Sequence, residues 1–85
     1  MAQETIKMVD AKKMAFAIDD LKVFQCADGL WIVTMRFKNE CYGMAEIVGL
    51  ETHRGELRLF KSADAAIKAA RDIGFDGRIW VDWES

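Results

Sequence analysis

Two spacings of apolar residues alternate along the chain, and they mark out its elements. In "LWIVTMRF" the side chains of Trp31, Val33, Met35 and Phe37 fall on one side of a strand, with Leu30, Ile32, Thr34 and Arg36 on the other. That strand is apolar on one face and half-apolar on the second, as expected where both faces have cover. The preceding run "LKVFQC" reaches it through "ADGL", whose Asp28-Gly29 pair supplies the positive φ angles of a tight hairpin. After a turn at Lys38-Asn39-Glu40 comes "CYGMAEIVGL", in which Gly43 and Gly49 mark bulges or close backbone contacts. The polar turn "HRGE" leads to a further short strand, "ELRLF".

The spacing then changes to that of a helix. Ala63, Ala66, Ile67, Ala70 and Ile73 form an apolar stripe, and Asp64, Lys68 and Asp72 form an i,i+4 ladder of charge on the opposite side. Ser62 is a favourable N-cap, Asp64 suits the positive end of the helix dipole, and Gly74 is placed for a left-handed stop with Phe75 folding back. The segment "DAKKMAFAIDDLK" supports two readings. Met14, Ala17, Ile18 and Leu21 lie at helical spacing behind an Asp10 cap, whereas Met14, Phe16 and Ile18 alternate as in a strand. Its alanines and lysines favour the helix. In the last segment, "RIWVDW", Ile79, Val81 and Trp83 face one way, and Arg78, Trp80 and Asp82 face the other. The expected fold is a single α+β domain over residues 1–85, in the order α-β-β-β-β-α-β. An antiparallel sheet of four or five strands carries the 62–73 helix on one face, with a further N-terminal helix.

Composition sharpens this picture. Hydrophobic residues make up 52% and aromatic residues 11% of the 85 positions. That is ample core material for a chain that buries only about 60% of its unfolded surface. Some apolar area is therefore expected to find cover on a partner, and oligomerisation is a common route for small domains. There is no proline, no low-complexity tract and no repeat. The N-terminus lacks the apolar run of a signal peptide or a membrane span, and the cysteines Cys26 and Cys41 lack metal-ligand spacing. A cytoplasmic protein with reduced thiols and no membrane partner is expected. Net charge is −2, from 12 basic and 14 acidic residues. This disfavours a nucleic-acid partner, because phosphate neutralisation supplies much of such affinity.

Little in the chain carries chemistry. His53, the single histidine, lies in the "THRG" turn beside Arg54, where it reads as a solvated turn residue rather than a general base. Asp19 and Asp20 read as a solvated helix end. One histidine and two distant cysteines do not make a metal site, no phosphate-cradling glycine motif is present, and neither cofactor nor metal is expected. The informative constellation is the Trp80 face: Arg78, Trp80 and Asp82, joined according to strand order by Tyr42, Thr34, Arg36 and Arg58. Trp, Tyr and Arg are enriched at interface centres. Burying one Trp of about 200 Å² contributes roughly 5 kcal/mol before entropy. Three kinds of cover compete for this face: the N-terminal helix, a second copy or foreign protein, and single-stranded nucleic-acid bases.

The run "LRLFKSADAAIKAARDIGF" is similar to a pattern in small accessory proteins of plasmids, integrons and phages. That resemblance implies accessory roles in partition, transfer, regulation or inhibition of host defence, and it carries over no functional residue. The reading that emerges is a non-enzymatic protein-binding module, a homodimer, with Trp80, Arg78, Tyr42, Arg36 and Arg58 at its interface and Trp80 as anchor.

Overall fold

The computed structural model describes residues 5–38, 47–52 and 54–82. Its elements are β1 (Thr5–Ile6), α1 (Met8–Lys13), β2 (Ile18–Gln25), β3 (Trp31–Phe37), β4 (Ile47–Leu50), α2 (Ala63–Asp72) and β5 (Ile79–Asp82). The five strands form one sheet in the order β1-β4-β3-β2-β5.

The centre of the sheet is an antiparallel meander. β2 pairs with β3 through Leu21↔Met35 and Val23↔Val33, and β3 pairs with β4 through Met35↔Val48. The β2–β3 hairpin closes with Cys26 N–H donating to the Leu30 carbonyl at 2.7 Å. Gly29 adopts φ +84 inside this loop, and the Asp28 carboxylate accepts from Leu30 N–H at 3.1 Å. The glycine and aspartate thus act together, as a three-residue hairpin loop requires.

The sheet is mixed rather than antiparallel throughout, which corrects the sequence-based expectation. Both outer strands run parallel to their neighbours, β1 to β4 and β5 to β2. The cause is the connectivity. Antiparallel strands can be joined by tight turns, whereas parallel ones need a crossover, usually helical. α1 carries the chain from β1 past β4 and β3 to β2, and α2 carries it from β4 past β3 and β2 to β5. Each crossover joins parallel strands and steps across the sheet in the same direction. The right-handed rule for such units therefore places both helices on the same face.

The core agrees. α2 packs against β2, β3 and β5. One contiguous cluster joins Leu21, Val23, Val33, Met35, Val48 and Leu50 of the sheet to Ala11 of α1 and to Ala66, Ala70 and Ile73 of the α2 region. Alanine on the helix side allows close approach to a sheet face built from larger residues. α2 begins as its sequence predicts, with the Ser62 hydroxyl accepting from Ala65 N–H at 3.2 Å. It stops at Gly74, whose φ of +97 ends the helix with a residue that has no Cβ to clash. Arg71 in the last turn reaches forward, donating from Nη1 to the carbonyls of Gly77 at 3.1 Å and Phe75 at 3.4 Å.

The N-terminal helix is shorter than its pattern suggests. It ends at Lys13, a 3-10 turn covers Ala15–Ala17, and β2 starts at Ile18. Asp10 sits inside its first turn rather than capping it; the N-cap is Lys7. Asp19 and Asp20 consequently belong to a strand and not to a helix end. "ELRLF" also departs from expectation. It forms only two isolated bridges, Leu57 to Glu51 and Phe60 to Trp31, and no continuous strand. Gly49 lies in the regular ladder between Thr34 and Thr5, without a bulge. The turn at 39–40, the segment "CYGMAE" with Gly43, and Trp83 lie outside the described residues.

Candidate interaction surface

With both helices on one face, the other face of the sheet carries no helix or further strand among the described residues. The pairing registers lay out its side chains in three rows that run across the strands. One row holds Asp82, Phe24 and Ile32; the next holds Trp80, Lys22, Thr34, Gly49 and Thr5; the third holds Asp20, Arg36 and Ile47. Alternation along each strand produces this arrangement, since the partners Leu21, Val23, Val33 and Met35 point into the core.

Several of these residues are large, apolar and exposed. Trp80 is 50% exposed, Ile47 52% and Phe24 38%. Ile32 is half-buried. The Arg78 guanidinium lies over the Trp80 ring, 5.5 Å from its centroid, a cation–π arrangement. Arg36 is held differently. A bulge between Ile18 and Asp20 sets two residues of β2 against one of β3, which brings both carboxylates to Arg36. Arg36 Nη2 donates to Asp19 Oδ2 at 3.2 Å and lies 4.0 Å from Asp20 Oδ2. Asp20, Lys22, Thr34, Arg36 and Ile47 line a shallow depression of about 160 Å³ on this face.

The residues singled out from the sequence are thus only partly brought together. Trp80, Arg78, Asp82, Thr34 and Arg36 share one face. Arg58 does not join them. Its backbone N–H donates to the Leu50 carbonyl at 2.8 Å, and its guanidinium stacks over the buried Phe60 ring at 4.9 Å. It lines a cleft of about 560 Å³ with Lys7, Met8, Val9, Lys12, Glu51 and Thr52, on the β1–β4 side and away from β5. Glu51 of that cleft accepts through Oε2 from the Thr5 hydroxyl. Tyr42 lies outside the described residues, as do His53 and Cys41. Phe24 and Lys22 are additions to the face. Their signal was available, because in "LKVFQC" they alternate with Leu21 and Val23.

The face is electrically mixed: Arg78, Lys22 and Arg36 stand against Asp19, Asp20 and Asp82. Among the described residues no group of three or more His, Cys, Asp or Glu side chains is arranged to hold a metal ion. Among them, too, no helix is long and apolar enough to cross a membrane. Comparison with protein-family models, with curated proteins and with solved structures gives no match. What the geometry defines is an α+β fold in which one sheet face carries the helices and the other carries no helix or strand among the described residues.

Proposed function

We propose that this chain is a small non-enzymatic protein-binding module of the cytoplasm, a homodimer, whose working surface is the open face centred on Trp80. The observation that carries this reading is the exposure of Trp80 and Phe24 on neighbouring strands of a face that neither helix covers, with Ile47 exposed two strands beyond Phe24. Exposed apolar residues are ordinary when scattered and informative when contiguous. The mixture of charges around them suits a protein surface, where complementary pairs set register and exclude wrong partners. The accessory or regulatory role of mobile-element proteins, implied by the resemblance of residues 57–75, is the setting in which such a module is expected to act.

Single-stranded nucleic acid is the competing occupant of the same face. Trp80 and Phe24 offer rings for base stacking, with Lys22 between them. The equal number of carboxylates weighs against it, since phosphate binding relies on uncompensated cations.

Trp80→Ala is the direct test. If Trp80 anchors a protein interface, the substitution weakens self-association or partner binding by about 2 kcal/mol or more. It leaves the fold nearly as stable, because the indole is half in water. Sedimentation or light scattering measures the first effect, and urea denaturation the second. Unchanged association would remove Trp80 from the interface. Retardation of a single-stranded oligonucleotide that weakens steeply with added salt would favour the nucleic-acid reading.

A further inference from the structure

The open face ends at β5, and β5 is an edge strand that carries few of the features that keep edges apart. Among the described residues the opposite edge, β1, spans Thr5–Ile6 and is followed by Lys7. Lysine is a common edge protection. β5 runs for four residues without lysine, proline or bulge, and among the described residues it pairs with β2 alone. Both of its faces are wet: Trp80 is 50% exposed on the open side and Val81 38% on the helix side.

Its sequence is also self-complementary under a two-fold rotation. "RIWVD" has Trp80 at its centre, the β-branched residues Ile79 and Val81 one step to either side, and opposite charges, Arg78 and Asp82, two steps to either side. We infer that two copies of this chain associate by antiparallel β5–β5 pairing about a two-fold axis at Trp80, giving one continuous ten-stranded sheet. In that register Trp80 faces the second copy's Trp80, Ile79 faces Val81, and Arg78 faces Asp82 twice. Directly opposed residues on adjacent strands have Cβ atoms about 4.5–5.5 Å apart, close enough for the indoles to touch and the charges to pair. A two-fold axis normal to the sheet keeps all four helices on one side and joins the two open faces into a single surface on the other. The interface is isologous, as closed dimers require. This inference rests on the homodimer proposed above and specifies how it is built.

Charge reversal tests it. Arg78→Asp alone, or Asp82→Arg alone, places like charges opposite each other at both symmetry-related contacts. Either is expected to raise the dimer dissociation constant at least about tenfold. The double variant Arg78→Asp/Asp82→Arg restores the pairing with signs exchanged, and is expected to return to the affinity of the unsubstituted protein. Light scattering over about 1–500 µM reads all four proteins, a range that covers the weak affinities of small interfaces. Circular dichroism of the single variants separates a lost contact from a lost fold. A dimer indifferent to both reversals, but dissociated by Phe24→Lys, would overturn edge pairing while keeping the open face as the dimer contact. A monomer across the whole range would overturn both the register and the homodimer.

Discussion

Gly77 shows how a single position can matter for space rather than for backbone freedom. A Cβ placed there would lie 2.5 Å from Phe75 Cζ and 2.9 Å from its Cε2. The Phe75 ring is itself packed against the core, so it cannot swing clear without losing contacts. Gly77→Ala is expected to cost about 1–3 kcal/mol, the usual range for overpacking. The urea midpoint should fall with an unchanged slope. Phe75→Leu in the same chain should relieve much of that cost, so a double-mutant cycle is expected to be non-additive; strict additivity would place the strain elsewhere. From the sequence Gly77 reads as half of an Asp-Gly turn, and nothing in its spacing reveals the ring beside it. Gly74 is the contrasting case, because its position directly after a helical stripe is enough to announce a left-handed stop.

At the level of elements, legibility follows how strongly one period dominates. α2 was readable to within a residue, since cap, stripe and stop agree. Ser62→Ala is accordingly expected to lower stability by about 1 kcal/mol, through loss of the bond to Ala65 N–H. Thermal or urea unfolding checks this, and an unchanged midpoint would mean that solvent caps the helix equally well. The β2–β3 hairpin was readable for the same reason. Residues 10–21 were not, because Met14, Ala17, Ile18 and Leu21 fit a helix while Met14, Phe16 and Ile18 fit a strand. Tertiary burial decided the outcome: Ile18 and Leu21 gain places in the sheet core that an exposed helix could not give them. Among the described residues β1 spans two positions, too few to show any period. The Asp19–Asp20 pair illustrates the consequence for candidate sites. Read on a helix it is a solvated end; placed at a bulge it becomes a clamp on Arg36.

On the scale of the whole molecule, the high apolar content could be read from the sequence, but not which large apolar residues would be exposed. Strand order depends on which connections cross over, and that is fixed by long-range packing rather than by local spacing. Hence alternation could group Arg78, Trp80 and Asp82, whereas whether Arg36 or Arg58 joined them depended on strand order: Arg36 lies on that face, and Arg58 lies on the β1–β4 side. The reach of Arg71 from the end of α2 to the carbonyls of Phe75 and Gly77 has a dynamic consequence. It ties fraying of the helix to detachment of the final strand, so the two should open as one unit in native-state hydrogen exchange. Arg71→Ala, removing about 1 kcal/mol of hydrogen bonding, should lower protection about fivefold in both segments and leave β3 untouched. Loss confined to the helix end would show that the strand breathes independently. The same guanidinium then governs how long β5 stays in place, and with it how often the edge is presented to anything that would add to it.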